Sequence, residues 1–222
     1  PAGPEGATLK HLLAHASGLS FEGTEIQGPP GRRRIYSNGG YALIGELVAE
    51  RSGFTFDEYV RQAVFAPLGM TRSLLRGHAG HGGTASAADI AAIARELLRP
   101  TLLAAETRAE AVSVAFPGLA GVLPGYGVQR PNDWGLGPEI RGTKNPHWTS
   151  PANSPRTVGH FGQAGTFCWA DPEAGIGLVV LTDRAFGEWA KPLWPELGTA
   201  VLAEWAPQML THQVAASDQP DR

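Results

Sequence analysis

Two short groups of residues carry side chains suited to acyl-transfer chemistry. Tyr36-Ser37-Asn38 falls where a loop gives way to a helix, so that a phenol and a carboxamide can face one cleft while Ser37 points elsewhere. His160-Phe161-Gly162 comes immediately before a predicted hairpin, and a glycine on an edge strand lets a substrate backbone approach closely. Hydrolysis of an acyl bond through a serine needs a nucleophile, a base, an acid for the leaving group and donors aimed at the oxyanion. The two groups are therefore candidates for parts of such a site.

Hydrophobic spacing and capping residues predict that residues 7–112, which include the first group, are mainly helical. Thr55 to Glu58 matches a capping box, in which a hydroxyl and a carboxylate satisfy each other's backbone donors. The predicted helices run from Thr8 through His15, from the Tyr36 group to Ser52-Gly53, from Thr55 to about Val64, and from Ser86 to Pro100.

Residues 113–211 predict an antiparallel sheet followed by a closing helix. Apolar runs of strand length occupy residues 134–140, 166–170 and 176–182, and the turn sequence from Asp171 to Gly175 joins the last two as a hairpin. The stripe of the closing helix that is predicted to pack on the sheet comprises Leu193, Trp194, Leu197, Val201, Leu202 and Trp205. Helices in one block and strands in another predict an α+β fold in one domain.

Both ends of the chain are predicted to be flexible. Residues 1–6 are small and turn-prone, and residues 212–222 have too little apolar surface to offset the entropy of ordering. Because the first residue is Pro1, the chain is expected to begin partway through a longer protein or after processing.

Six short motifs follow one another along the chain. They are the stretch from Thr8 to Leu19 (TLKHLLAHASGL), Tyr36-Ser37-Asn38, Pro67-Leu68-Gly69-Met70, Gly82-Gly83-Thr84-Ala85-Ser86, His160-Phe161-Gly162 and Asp171-Pro172-Glu173. In this order they resemble the serine β-lactamase and DD-peptidase superfamily, and most closely its group of class C β-lactamases, peptidases and esterases. The resemblance covers nearly the whole chain and implies a β-lactamase/transpeptidase-like fold.

This resemblance implies a role for each matching residue. Tyr36 would exchange a proton with the nucleophile or the leaving group, and Asn38 would orient the substrate. A phenol normally titrates near pH 10, so Tyr36 would act as a base only beside a cation. His160 and Gly162 match the strand motif in its His-x-Gly form, and the Gln163 amide would donate to the oxyanion.

Phe161 is also predicted to contact substrate. It stands where relatives often carry a hydroxyl that binds a substrate carboxylate, which argues against ordinary β-lactam recognition. The resemblance thus implies an enzyme that hydrolyses a small ester, an amide or a D-amino-acid peptide through an acyl-enzyme, without cofactor or metal.

The family's Ser-x-x-Lys motif is missing from this sequence. Lysine occurs at positions 10, 144 and 191, and the residues three before them are Ala7, Arg141 and Glu188. In the family this motif precedes the segment that matches Thr8 to Leu19, so the chain is expected to be inactive alone. Two alternatives stay open: a non-catalytic relative or gene fragment that holds a ligand, and a fragment that folds poorly because a sheet edge lacks its partner.

Simpler interpretations of the candidate residues also stay open. Tyr36 is alternatively a half-buried loop aromatic, and Asn38 a helix N-cap. The pairs His11 with His15 and His78 with His81 have weak metal-ligand spacing. The Arg32-Arg33-Arg34 run is predicted to be a solvated loop, with an anion-attracting lip beside Tyr36 as the alternative. Cys168 is predicted to be buried filler in a strand.

Composition excludes some classes of partner. The 222 residues carry 18 basic and 21 acidic side chains, a formal charge of -3, which gives no indication of nucleic-acid binding. Apolar runs are far shorter than the roughly 20 residues that span a bilayer, so no membrane-spanning segment is predicted. The expected partner is a small acyl compound or peptide, and neither the oligomeric state nor the compartment follows from the sequence.

Overall fold

A computed structural model describes residues 3–217 of the chain, with side chains through residue 206. Its helices are α1 Leu9–Leu13, α2 Asn38–Ser52, α3 Phe56–Val60 with a π-helical turn Arg61–Phe65 after it, α4 Ala87–Leu98, α5 Ala105–Ala111 and α6 Ala190–Ser217. None of the helices in this part of the chain has the length and apolar character needed to cross a bilayer.

The caps of the helices follow the sequence only in part. Ser86 caps α4 as predicted, since its Oγ accepts from the Asp89 amide at 3.2 Å. The cap of α2 is Ser37 rather than Asn38, because the Ser37 Oγ accepts from the Gly40 amide at 2.9 Å. Thr55 precedes α3, but its side chain makes no capping hydrogen bond, so the capping-box prediction is wrong.

Helix α1 ends two residues before the predicted end. His15 has a φ of 53°, a left-handed conformation in which an α-helix cannot continue, and its backbone carbonyl accepts from Ile35 instead. The segment after α1 therefore turns toward the loop that carries Tyr36.

Within the described residues, eight strands form three antiparallel sheets. They are β1 Leu74–Leu75, β2 Gly83–Thr84, β3 Gly121–Leu123, β4 Gly127–Gln129, β5 Glu139–Ile140, β6 Val158–Gly162, β7 Thr166–Asp171 and β8 Ile176–Val180. Strands β1 and β2 pair, β3 and β4 pair, and the main sheet has the order β5-β6-β7-β8. The predicted hairpin of β7 and β8 is confirmed, whereas only the last two residues of the predicted strand 134–140 are extended and paired as a strand.

The main sheet presents different side chains on its two faces, as the alternation of a strand requires. One face packs Phe161, Phe167 and Trp169 against Trp194 and Leu202 of α6, and this forms the larger hydrophobic core. The opposite face lies against α4, where the Ala94 Cβ comes so close to Gly177 that an added Cβ would lie 3.0 Å from it. Helices on both faces of an antiparallel sheet confirm the α+β prediction.

The closing helix α6 buries less of the predicted stripe than expected. Trp194 and Leu202 are buried, but Leu193, Leu197 and Trp205 are exposed, Trp205 by 56%. The helix also runs on through Ser217, into the segment that was predicted to be a flexible tail. Residues 1–2 and 218–222 of the predicted flexible ends lie outside the described residues.

Candidate active site

The helical part and the main sheet enclose a cavity of about 880 Å³ that brings both candidate groups together. Tyr36 and His160 line it, with ring centroids 5.6 Å apart. The Trp134 ring lies beside both of them, 5.8 Å from the Tyr36 ring and 5.6 Å from the His160 ring, so that the three centroids form a triangle. Asn38, Gly162 and Gln163 also line this cavity, so two segments more than 120 residues apart in sequence meet at one place.

A histidine that the sequence did not single out as part of the site holds the Tyr36 loop. The His15 ring stacks on Tyr36 with centroids 4.3 Å apart, and its Nδ1 accepts from the Ser37 amide at 3.0 Å. Burial holds the pKa of His15 well below its usual value, an effect that the nearby His160 and Arg34 reinforce. The neutral ring that results can accept the Ser37 hydrogen bond and keep the loop in register.

The prediction that the Arg32-Arg33-Arg34 run is solvated is wrong for Arg34. Arg32 and Arg33 are exposed, but Arg34 is 2% exposed. Its guanidinium donates to the carbonyls of Asn132 and Ala115, each at 2.9 Å, and to those of Ala14 and Phe116. Burial lowers its pKa to about 10, so the side chain stays charged at neutral pH. Two residues before Tyr36, this side chain ties together three separate stretches of chain.

Asn38 makes a specific contact through its side chain. It is the first residue of α2, and its Nδ2 donates to Glu22 Oε1 at 2.6 Å. Glu22 belongs to the exposed loop that follows Ser20, whose hydroxyl donates to the Glu22 carbonyl. The Glu22 carboxylate therefore binds the NH2 group of Asn38, the residue whose side chain the family resemblance predicts to orient the substrate.

The His160 segment lies on an open strand edge. Strand β5 pairs with β6 only at Val158 and Gly159, so no strand among residues 3–217 pairs with the β6 edge from His160 to Gly162 on that side. Beyond it, the Gln163 carbonyl accepts from Phe186, while its N–H has no acceptor among residues 3–206. A backbone donor beside an open edge can bind a carbonyl oxygen that becomes negatively charged.

The protonation of His160 follows from its contacts. Its Nδ1 lies 2.6 Å from the Phe161 carbonyl, which can only accept, so Nδ1 carries the hydrogen and Nε2 is the acceptor of the neutral ring. Desolvation lowers the pKa of His160, against the opposing effects of Glu139 and of the Phe161 carbonyl. A neutral imidazole is therefore favoured at neutral pH.

Tyr36 is poorly prepared to act as a base in this chain. Burial raises its pKa, and the carboxylates of Glu22 and Glu139 raise it further. No lysine or arginine lines the cavity in the part of the chain that the structure describes. Tyr36 is therefore a phenol here, able to give a proton but not to take one.

A buried charged cluster lies behind the cavity. Glu139 lines the cavity at 2% exposure, and its carboxylate pairs with Lys144 Nζ at 3.1 Å and His147 Nε2 at 3.0 Å. It also accepts from Trp148 Nε1 at 2.7 Å. Although burial opposes ionisation, Lys144 and these hydrogen bonds lower the pKa of Glu139 to about 2. A lone glutamate after a Gly-Pro stretch gave no sequence signal of this cluster.

Other candidates have different surroundings. The Phe161 ring is buried and packs 4.9 Å from the Phe186 ring, so core packing accounts for its position, although it also borders the cavity. Cys168 lies directly opposite His160 on β7 and lines the cavity, and burial raises its pKa to about 12. A thiol this protonated is a poor nucleophile.

The histidine pairs do not form metal-ligand sets in the described residues, where no group of three or more potential ligands converges. The left-handed conformation at His15 breaks the helical spacing with His11, which stacks on Phe116 instead. His78 and His81 pack edge to face with ring centroids 4.0 Å apart.

Residues 1–202 match the family model described as Beta-lactamase. Among solved structures, a beta-lactamase from Mycobacterium bovis is 55% identical, with a TM-score of 0.91 over 93% of this chain and 77% of that one. Simvastatin synthase from Aspergillus terreus is 18% identical, with a TM-score of 0.74 over 90% of this chain and 69% of that one. At that identity the second likeness shows the fold alone.

Curated relatives match shorter stretches. A protein of Escherichia coli K12, provisionally described as a D-alanyl-D-alanine carboxypeptidase, is 31% identical over 77 residues, which are 33% of this chain and 18% of that protein. The matching region thus spans about a fifth of the length of that relative.

Proposed function

Because this chain belongs to the beta-lactamase family, we propose that it forms the tyrosine and strand walls of a serine hydrolase active site. The reaction is hydrolysis of a small ester, an amide or a D-amino-acid peptide through an acyl-enzyme. The observation that carries the proposal is the single cavity shared by Tyr36, Asn38, His160 and the Gln163 amide.

Each wall has one task in such a reaction. A serine hydroxyl attacks the acyl carbon while the neutral lysine of the same Ser-x-x-Lys segment takes its proton, and the carbonyl oxygen that becomes negative is bound by the N–H of Gln163. Tyr36 gives a proton to the leaving group as the acyl–oxygen or acyl–nitrogen bond breaks, and the lysine ammonium returns a proton to the phenolate. Water then attacks the acyl-enzyme and releases the acid. The neutral His160 ring, with Nε2 as acceptor, binds a substrate or water hydrogen along the open edge of β6.

The nucleophile has to come from elsewhere, since the sequence contains no Ser-x-x-Lys. A lysine ammonium near Tyr36 would lower the pKa of the phenol, which Glu22 and Glu139 now raise. The 222-residue chain alone is therefore expected to turn over neither p-nitrophenyl butyrate nor nitrocefin nor a D-Ala-D-Ala peptide.

A chimera tests the proposal. A Ser-x-x-Lys segment from a family member is fused before residue 1, and labelling by a fluorophosphonate probe is measured together with turnover of the three substrates. We expect the chimera, but not the 222-residue chain, to be labelled. Tyr36→Phe in the chimera should lower kcat by roughly 100-fold or more, because the phenolic proton is lost while the ring stack remains.

Tyr59→Phe is the matched control, since Tyr59 is an exposed tyrosine on α3. It should leave kcat unchanged. Labelling of the chain alone, or equal kcat in the Tyr36→Phe and parent chimeras, would contradict the proposal. A folded chimera that binds the ester but is never labelled would support the non-catalytic ligand-binding alternative.

A further inference from the structure

The walls of the active-site cavity have an unbalanced charge composition. Neither lysine nor arginine lines the cavity within the described part of the chain. The carboxylate of Glu139 does line it, but Lys144 Nζ at 3.1 Å compensates that charge from behind. Among the described residues, an uncompensated charge near this cavity therefore has to come from a residue that contacts the wall without being part of it.

Glu22 supplies that charge. Its carboxylate accepts from Asn38 Nδ2, and Asn38 is itself a wall residue. The amide is neutral, and Glu22 has no basic partner within ion-pair distance in residues 3–206. Its effect reaches the cavity, because Glu22 is one of the causes that raise the pKa of Tyr36.

Aromatic rings surround Tyr36, the cavity residue whose pKa the Glu22 carboxylate raises. Phe21, directly before Glu22, is 50% exposed and lies with its ring 5.8 Å from that of Tyr36. The Trp134 ring also lines the cavity and lies 5.8 Å from that of Tyr36. The faces of such rings attract organic cations, most of all where a carboxylate is close.

We propose that this cavity selects acyl substrates that carry an organic ammonium group, with Glu22 as the specificity-determining residue. The ammonium group lies between the Glu22 carboxylate and the rings of Phe21, Tyr36 and Trp134. A ligand with a carboxylate at that position is repelled by Glu22, and no lysine or arginine in the described part of the cavity wall offsets that repulsion. This inference rests on the proposed function for the acyl group of the ligand, but the charge preference can be measured without turnover.

Three esters of similar size test the preference on the 222-residue chain. Butyrylcholine is cationic, 3,3-dimethylbutyl butyrate is its uncharged carbon isostere, and monobutyl succinate is anionic. Dissociation constants are measured by quenching of tryptophan fluorescence, since Trp134 lines the cavity. We expect butyrylcholine to bind roughly 5-fold tighter than its isostere, and monobutyl succinate to bind more weakly than both.

Two variants of the same loop separate the role of Glu22 from general charge effects. Glu22→Gln keeps a hydrogen-bond acceptor for Asn38 and should abolish the preference for the cation. Glu25→Gln removes an equal charge from an exposed position three residues away and should retain it. Equal affinities of the three esters, tighter binding of the anion, or the same result for both variants would overturn the inference.

In the chimera the same comparison is made on kcat/KM. A cation preference in binding without any turnover would contradict the proposed function and leave this inference standing. Turnover with equal kcat/KM for butyrylcholine and its isostere would support the proposed function and contradict this inference.

Discussion

Glu139 and Lys144 form a buried ion pair whose partners are both inaccessible to water. Removing one charge from such a pair leaves the other buried without compensation, which typically destabilises a protein by about 3–5 kcal/mol. Glu139→Gln should therefore lower the free energy of unfolding by about that amount, measured by urea denaturation. The double variant Glu139→Gln with Lys144→Met should be more stable than the single variant, because no charge is then stranded.

Glu58→Gln provides the control for this comparison. Glu58 of α3 likewise forms an ion pair, with Arg61 at 2.6 Å, but this pair lies on the surface of the protein. Surface pairs contribute little because water screens them. We expect Glu58→Gln to be as stable as the parent. If Glu139→Gln were also as stable as the parent, the buried Lys144 charge would not need Glu139 to compensate it.

At the scale of residues, the side chains that line the cavity were easier to predict from the sequence than the buried side chains that hold the Tyr36 loop in place. Tyr36 and His160 line one cavity, and both could be singled out from the sequence since each belongs to a short motif whose residue types suggest a reaction. Arg34 and His15 gave no such signal, since an arginine in a run of three normally stays solvated. Only the distant carbonyls that surround Arg34 make burial of its guanidinium favourable.

The turn between β6 and β7 carries Gln163, whose amide is the proposed oxyanion donor. Gly165 has a φ of 82°, and a Cβ added there would lie 1.8 Å from the Arg184 carbonyl oxygen. Gly165→Ala should therefore destabilise the protein by about 2 kcal/mol and speed hydrogen exchange of the hairpin amides. Gly187→Ala is the control, because its added Cβ would meet only the Trp189 ring, at 3.7 Å. Equal exchange rates in the two variants would show that the turn tolerates a side chain.

Elements with local signals were predicted well. Helix α2 ends at Ser52 before Gly53, and β7 and β8 pair across the predicted turn, because glycine and turn residues act over a few positions. The closing helix was predicted less well. Its Leu193 and Trp205 belong to one apolar stripe in the sequence but are exposed, since periodicity cannot say which apolar residues face the sheet.

Two buried histidines couple the stability of the molecule to pH. Burial lowers the pKa of His15 and of His147 below the value of 6.5 expected in the unfolded chain. Between the folded and unfolded pKa values the unfolded chain binds more protons, so the free energy of unfolding rises with pH and levels off above about 6.5. Denaturation at a series of pH values from 5 to 8 should show this increase.

His15→Asn tests the origin of the slope. Asparagine tolerates the left-handed backbone of residue 15 and keeps an acceptor for Ser37, but it does not titrate in this range. The slope below pH 6.5 should become shallower in this variant and stay unchanged in His81→Asn, which alters an exposed ring. A slope that is the same in all three proteins would assign the pH dependence to other groups.

At the scale of the molecule, the α+β fold was predictable because helices and strands are segregated along the sequence. The cavity between them was predictable only through the family resemblance, since no local pattern sets the distance between residue 36 and residue 160. The charge of its rim was not predictable at all, because Glu22 belongs to an irregular loop.

The guanidinium of Arg34 binds carbonyls from three separate stretches of chain, so a buried residue outside the cavity wall holds the position of the Tyr36 phenol. Glu22, by contrast, stands on an exposed loop. Under the proposed charge preference, substitutions in that loop change which compounds bind while the position of Tyr36 is kept. Selection for different substrates would then act on surface residues and leave the packing of the interior unchanged.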